Sequence, residues 1–307
     1  MYTELTLQFA NADDLRTSGR YEEALLIYDR LKRELEEQNA QLRSLTTMRQ
    51  GQCLVSLGRT AAGMQRLQEA IDSMQQLLSS AKHPTDSDPR LAGVAIYECF
   101  IHRDFRRRSA VRLTVYLCEC LCDLAEAKGS ASRHDDARED FRRARALAEH
   151  IGSRHCLGPT SAREIGYLIG VGDLAEALRV AVSQETLFRN EGNTRELRNA
   201  IAHQVQIHLQ MLRGERSPAE RVRIAEHFLQ LSQQIGLPEH AFGVLLLTLE
   251  ERMVQCHKDG DTNELRRTLL RIVEVAPQTG RPEAAALALR NWGSLFSEIG
   301  EEAAALE

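Results

Sequence analysis

Aromatic residues and prolines are scarce in this chain of 307 residues. Aromatic side chains make up 5% of it, with a single tryptophan, and there are seven prolines. Residues that favour helices, such as alanine, leucine, glutamate, arginine and glutamine, are abundant instead. This composition excludes a collagenous or disordered chain, and no segment shows the alternation of a β-strand. The sequence therefore predicts an all-α protein.

Long apolar runs and a strong net charge are also lacking. The longest apolar candidate, around 241–249, is half of the roughly 18 residues that a membrane span needs. The N-terminus has an early Glu4 and no basic start before an apolar core, so a signal peptide is not expected. The net charge of −5 gives no reason to expect nucleic-acid binding, and seven irregularly spaced cysteines fit reduced thiols. We expect a cytoplasmic protein that binds neither membranes nor nucleic acids.

Signatures of catalysis are missing too. The chain has no glycine-rich phosphate loop, no His-Glu-x-x-His motif and no Gly-x-Ser-x-Gly elbow. Its many carboxylates are those of any charged helical protein, and nothing singles out a pair. We predict that these residues are not an enzyme and hold no cofactor.

The apolar residues that are present recur with the period of amphipathic helices. Leu25, Tyr28 and Leu31 form one such stripe. Ser217 and Pro218 combine a helix cap with a first-turn proline. About thirteen helices are predicted in this way. The breaks between them are expected at the prolines, which are Pro84, Pro89, Pro159, Pro218, Pro238, Pro277 and Pro282.

Helix pairs also repeat along the chain. A turn glycine followed by a helix start occurs in Gly19-Arg-Tyr-Glu-Glu-Ala24, Gly172-Asp-Leu-Ala-Glu-Ala177 and Gly260-Asp-Thr-Asn-Glu-Leu265. Weaker copies begin at Gly58 and Gly300, a copy that has lost its glycine begins at Ser132, and one with an altered turn begins at Gly214. Copies start about 40 residues apart, with one nearly double step, which indicates a repeated helix-turn-helix unit.

These units resemble the tetratricopeptide repeat family. In the first unit Ala12 matches the small residue of the family's first helix, Gly19 and Tyr21 match the turn, and Ala24 and Tyr28 match the small and aromatic positions of the second helix. The fourth unit matches in its turn and second helix. The step is longer than the family's 34 residues, and the family's early tryptophan is absent.

The resemblance implies a right-handed superhelical solenoid of antiparallel helix pairs. Length alone would suggest two domains, but stacked pairs bury their apolar faces only against neighbours. A single domain over 1–302 is therefore expected, with an irregular unit at 83–131. Residues 303–307 resemble the tail that cloning ahead of a histidine tag leaves, in which case the chain was cut from a longer one.

In function, the resemblance implies a protein-interaction scaffold. Its concave groove, lined mainly by the first helix of each pair, would bind a protein or peptide. The alternative is a regulatory or sensory domain of a larger bacterial signalling protein, such as a diguanylate cyclase, histidine kinase or transcription regulator, which the helix endings at 147–152 and 231–236 resemble. Self-association into a homodimer through the C-terminal helices is also expected.

Two sets of side chains are candidates for contacting a partner. A cluster of arginines would pair with an acidic peptide, a C-terminal carboxylate or a nucleotide phosphate if it lined the groove, and would otherwise be a solvated helix face. A polar stripe on the first helix of the fifth pair faces either the groove or water. The candidates are Arg103, Arg106, Arg107, Arg108, Arg112, Asn199, His203 and Gln206.

A second alternative is a metal or small-ligand site near Cys118 and Cys122. On a helix these two residues lie one turn apart on one face, with Cys99, His102 and His134 as further ligands nearby in the sequence. Zinc-binding cysteine pairs usually lie at turns, and buried cysteines often serve as small apolar residues. We therefore expect packing, and no metal, at these cysteines.

Overall fold

The computed structural model describes residues 2–35, 40–80, 105–150 and 154–280, together with 286 and 290. In this part of the chain all regular structure is helical, which confirms the all-α class. None of these helices combines the length and the apolar character that crossing a membrane requires. The chain divides into two compact units, unit 1 (Met1–Tyr167) and unit 2 (Leu168–Glu307), and each is described by itself. The single domain over 1–302 stays a prediction.

Consecutive helices form the pairs that the repeats predict. The helices of unit 1 are α1 (Tyr2–Thr17), α2 (Tyr21–Glu34), α3 (Ala40–Ser56), α4 (Thr60–Ser80), α5 (Phe105–Ser130), α6 (His134–His150) and α7 (Arg154–Gly170), of which α7 ends inside unit 2. Unit 2 continues with α8 (Leu174–Asn190), α9 (Thr194–Gly214), α10 (Pro218–Gln234), α11 (Pro238–Asp259), α12 (Thr262–Val275) and a 3₁₀ helix (Ala276–Thr279). Neighbouring helices pack on each other in chain order from α1 to α6 in unit 1 and from α8 to α12 in unit 2.

Left-handed turn residues end the first helix of most pairs, as the sequence predicts. Gly19, Gly58, Gly172 and Gly260 have φ values of 81°, 75°, 80° and 71°. Ser132 occupies the same place after α5, with a φ of 60°. Glycine adopts this conformation without steric cost, whereas the third pair keeps the same turn with a serine.

Caps start the second helices directly after these turns. Asp173 accepts a hydrogen bond from the backbone N–H of Glu176 at 3.3 Å, and Asp261 accepts one from Glu264 at 3.0 Å. Each satisfies an N–H group that the first helical turn leaves without a backbone partner. The altered turn after Gly214 has no left-handed glycine, because α10 begins instead at Pro218 behind its cap Ser217.

One predicted break is wrong. Pro159 lies inside α7 and does not separate two helices. It is the sixth residue of the helix as described, so its missing N–H costs only one early hydrogen bond. Pro218 and Pro238, by contrast, each occupy the first position of a helix.

The cores follow the apolar stripes. In unit 1 Tyr28 and Leu31 of α2 are fully buried, and in unit 2 Phe228 and Leu231 of α10 are buried as well. The Tyr28 ring meets Phe9 edge to face, with 5.6 Å between the ring centroids. The aromatic residue of the second helix thus packs against the first helix of the same pair.

Candidate functional site

A row of polar side chains joins the first helices of four successive pairs, α1, α3, α5 and α7, within unit 1. Each helix contributes charged or amide groups that meet those of the next helix through hydrogen bonds and ion pairs. We call this row the polar ladder. Its members are Asp13, Arg16, Arg49, Gln52, Glu119, Asp123, Glu126 and Arg163.

Arg49 of α3 lies near the centre of the polar ladder, between α1 and α5. Its guanidinium donates to a carboxylate oxygen of Glu119 on α5 at 2.7 Å and lies 3.3 Å from a carboxylate oxygen of Asp13 on α1. Its side chain is only 4% exposed. A buried cation is tolerated when it is paired on more than one side, so Arg49 links three first helices.

The charge of Asp13 is held in place by its surroundings. Burial alone would raise the pKa of this carboxyl, but the neighbouring guanidinium groups of Arg49 and Arg16 outweigh burial and lower the pKa. Tyr28 of α2 also donates its hydroxyl to Asp13 at 3.1 Å. Asp13 therefore ties the second helix of the first pair to the polar ladder.

The far side of the polar ladder joins α5 to α7. Gln52 of α3 donates to Asp123 at 2.5 Å, and Arg163 of α7 donates to Asp123 at 2.6 Å and to Glu126 at 2.7 Å. Burial raises the pKa of Asp123 although Arg163 lies beside it. Ionised Asp123 is thus a cost to folding that Arg163 and Gln52 only partly offset.

The spacing within α5 explains why its carboxylates line up. Glu119, Asp123 and Glu126 are four and three residues apart, which places them on one face of a helix. The opposite faces of the same helix carry buried residues such as Leu117, Leu121 and Leu124.

Carboxylates form the accessible edge of the polar ladder. The side chains of Glu126 and Glu119 are 48% and 36% exposed, whereas Asp123 and Asp13 are 16% and 14% exposed. Arg163 is 29% exposed and keeps two of its donors occupied by α5. A molecule lying along this row would therefore meet hydrogen-bond acceptors with negative charge.

The predicted arginine cluster is only partly within the described residues. Arg103 lies outside them. Arg106, Arg107, Arg108 and Arg112 belong to the first two turns of α5, but their side chains are not among the described ones. Their contact with a partner stays a prediction.

The predicted stripe on α9 lies along a partly accessible face in unit 2. Asn199 and Gln206 are exposed, and Asn199 donates to Glu196 at 3.2 Å. His203 is partly buried, and burial lowers its pKa. These three residues are well placed for contact but form no network comparable to the polar ladder among the described residues.

The cysteines near Cys118 pack as small buried side chains. Cys118 and Cys120 each point a thiol at a backbone carbonyl, Ala144 and Leu67 respectively, at 3.4 Å. Within the described residues, no group of three or more His, Cys, Asp and Glu side chains is arranged to hold a metal ion. Cys99 and His102 lie outside the described residues, and the His134 ring lies 2.9 Å from the Tyr167 hydroxyl.

The polar ladder itself was missed by the sequence analysis. The signal that could have found it is the run of carboxylates at Glu119, Asp123 and Glu126 on a helix with apolar faces, together with Arg49 in the middle of a helix that has few charges. Neither signal shows which side chains pair with each other, because Arg49 and Glu119 are 70 residues apart in the chain.

Comparisons with known proteins concern the fold. The chain is similar to aspartyl phosphate phosphatase F from Bacillus subtilis, with 11% identity, a TM-score of 0.49, and coverage of 97% of this chain and 70% of the other. It is also similar to a Rap protein complexed with competence and sporulation factor, with 12% identity, a TM-score of 0.44, and coverage of 97% of this chain and 76% of the other. A third similar structure is a signal transduction ATPase with a tetratricopeptide repeat sensor from Pyrococcus horikoshii. Its identity is 15% and its TM-score 0.34, and the match covers 88% of this chain and 42% of the other. The sequence matches no protein-family model and no curated protein.

Proposed function

We propose that this protein is a binding module that holds an extended segment of a partner protein along the polar ladder, and that these residues carry out no catalysis. The observation that supports the proposal is the continuity of the polar ladder over four first helices. Neighbouring helices pack roughly 10 Å apart, so the row spans about 30 Å, which corresponds to about nine residues of extended chain.

The charge of the accessible edge selects the kind of segment. Because Glu119 and Glu126 are its most exposed members, lysine or arginine side chains of the partner would complement it best. Charge-assisted hydrogen bonds of this type are stronger than neutral ones. The partner segment is therefore expected to be basic.

Selection from a displayed peptide library, with the whole chain as bait, tests this function. Selected peptides should be rich in lysine or arginine, and Glu126→Lys should weaken their binding about tenfold, since one charged contact is lost. Glu126 is the better choice for substitution because Arg163 keeps Asp123 as a partner. Glu149→Lys, at an exposed position of α6, is the matched control.

Two outcomes would contradict the proposal. A library that yields no binding peptide would contradict a peptide-binding role, and peptides that bind Glu126→Lys as well as the unaltered chain would exclude the polar ladder as their site. Charge reversal at Arg107 and Arg108 tests the arginine cluster separately. Regulation of an attached output domain stays an alternative prediction.

A further inference from the structure

Two histidines from adjacent helices meet in unit 2. The ring of His208 on α9 and the ring of His227 on α10 lie with their centroids 4.7 Å apart. His208 is buried, with 5% of its surface exposed, whereas His227 is exposed. The histidine pair is thus an ionisable contact between two packed helices, with one ring in the interior and the other at the surface.

Apolar residues flank the histidine pair along both helices. On one side Ile201 of α9 clusters with Leu231 of α10, and on the other side Leu212 clusters with Ile224. In the chain, each histidine lies between the two apolar residues of its own helix. A charge on the buried ring would therefore be placed within an apolar contact, where water cannot solvate it well.

The surroundings of His208 favour its neutral form. Its Nδ1 atom lies 2.7 Å from the backbone carbonyl oxygen of Gln204, and because a carbonyl oxygen only accepts, Nδ1 carries the proton. Burial lowers the pKa of His208 and the charge of His227 lowers it further, although the Gln204 carbonyl opposes both effects. His208 therefore resists a second proton as long as α9 and α10 stay packed.

A carboxylate from α8 faces the exposed member of the pair. Glu185 accepts hydrogen bonds from Gln204 at 2.6 Å and from Arg189 at 2.7 Å. Burial alone would raise the pKa of Glu185, but these donors, with the charges of Arg189 and His227, outweigh burial and lower the pKa. Glu185 thus keeps its negative charge in mild acid and can balance a positive charge on His227.

The other ionisable groups around this part of α10 have partners elsewhere. Glu226, next to His227 in the chain, pairs with Arg271 of α12 at 3.2 Å. From α11, the ring of His240 meets Phe228 edge to face, with 6.2 Å between the ring centroids. The charged side chain that acts on the protonation of His208 is therefore that of His227.

We propose that His208 and His227 form a pH-sensitive contact, which holds α9 against α10 at neutral pH and loosens below about pH 6. Protonation of both rings would place two positive charges 4.7 Å apart, with one carboxylate, Glu185, beside them. Separation of the helices relieves this repulsion and exposes His208 to water, which stabilises its charged form. The stability that neutral His208 contributes is complete above its unfolded pKa of about 6.5 and is lost as the pH falls through the lower folded value.

The pH-sensitive contact lies on the helix that carries the predicted polar stripe. Asn199, His203 and Gln206 all belong to α9, so a movement of α9 against α10 would change how this stripe meets a partner. The proposal does not depend on what binds to the polar ladder, whose residues all belong to unit 1.

Amide hydrogen exchange of the whole chain at about pH 7.5 and about pH 5.5, corrected for the intrinsic effect of pH, tests the proposal. Protection of α9 and α10 should fall about tenfold at the lower pH, because a difference of one pKa unit between the packed and the separated state changes the equilibrium by this factor. Protection of α2 and α3 should stay unchanged. His208→Phe keeps an aromatic ring but cannot titrate, so the fall in protection of α9 and α10 should disappear.

Matched variants make the result specific to the histidine pair. His257→Gln, at an exposed position of α11, should keep the fall in protection. His203→Gln should keep it too, although burial also lowers the pKa of His203 on the same helix. Circular dichroism checks that each variant is folded, and His208→Gln, which retains a donor for the Gln204 carbonyl, replaces His208→Phe if the latter is not.

Three results would overturn the proposal. The first is equal protection of α9 and α10 at both pH values in the unaltered chain. The second is an undiminished fall in protection in the folded His208 variant, and the third is loss of the fall in His203→Gln, which would assign the pH dependence to the other histidine of α9.

Discussion

At the scale of single residues, the turn of the third pair is where backbone conformation and residue type disagree. Ser132 has a φ of 60°, whereas the equivalent turns have glycine. A left-handed conformation costs an L-residue roughly 1–2 kcal/mol, and a glycine at the same position avoids this cost. Part of the advantage is lost because glycine has greater conformational freedom in the unfolded chain.

Ser132→Gly should therefore stabilise the protein by about 0.5–1 kcal/mol. Urea denaturation followed by circular dichroism measures the change. Ser18→Gly is the matched control, because Ser18 lies in the first turn with a negative φ, and glycine there should bring no gain. A loss of stability in Ser132→Gly would show that its hydroxyl matters more than its backbone.

Some glycines inside helices matter because a side chain at their position would collide with the neighbouring helix. A Cβ atom on Gly63 would lie 2.6 Å from the Val55 side chain and 3.0 Å from the Gly51 carbonyl oxygen. Small residues here allow α3 and α4 to approach closely. Gly166 of α7 has open space around the same position.

Gly63→Ala should accordingly lower the free energy of unfolding by about 1–3 kcal/mol, because overpacking outweighs the gain in helix propensity. Gly166→Ala should raise it by up to about 1 kcal/mol through propensity alone. Thermal unfolding of the two variants distinguishes the effects. Equal stabilisation in both would mean that α3 and α4 separate without cost.

At the scale of elements, the contact between α1 and α3 depends on charge. The pKa of Asp13 is lowered in the folded protein although burial opposes this. The folded state therefore binds fewer protons than the unfolded state at acidic pH. The stability that Asp13 contributes is complete above its unfolded pKa of about 3.9 and is lost as the pH falls through the folded value.

Asp13→Asn should destabilise the chain by about 1–3 kcal/mol at pH 7, and this difference should shrink as the pH falls below about 4. Urea titrations of both proteins over pH 3–7 measure it. Asp14→Asn, at the exposed next position, serves as the control. A difference that stays constant with pH would indicate that Asp13 acts through shape and not through charge.

At the scale of the whole molecule, each unit has a large buried cluster of its own among the described residues. One extends from Leu5 to Ala144 and another from Leu212 to Ala276, and the two share no residue. In repeat proteins each unit is stabilised mainly by its neighbours. A defect in one cluster should therefore have its effect nearby.

Phe228→Ala should remove about 3–5 kcal/mol from the second cluster. Amide hydrogen exchange should accelerate in α10, α11 and α12 and stay unchanged in α2, α3 and α4. Phe141→Ala in α6 should accelerate exchange in α5 and α6 and leave α10, α11 and α12 unchanged. Uniform acceleration through the whole chain would mean that it unfolds as one cooperative body.

The periodic features could be predicted because they are encoded within a few residues. Gly19 and Gly172 ended first helices as expected, since only a residue that tolerates positive φ ends a helix in this way. Pro159 misled the prediction, because a proline near the start of a helix removes a single hydrogen bond and leaves the rest intact. For the stretch at 83–131 the sequence predicted only that the repeat of about 40 residues is interrupted, and it did not predict the long helix α5 (Phe105–Ser130).

The sequence by itself determined the helices, their pairing and their apolar faces, because each follows from spacing within one or two turns. Only the tertiary structure decided that Arg49 lies between Asp13 and Glu119 and that Arg163 pairs with Asp123. These contacts join residues of different pairs. They depend on how neighbouring pairs pack and on which face each helix turns toward the next, and local spacing does not contain that information.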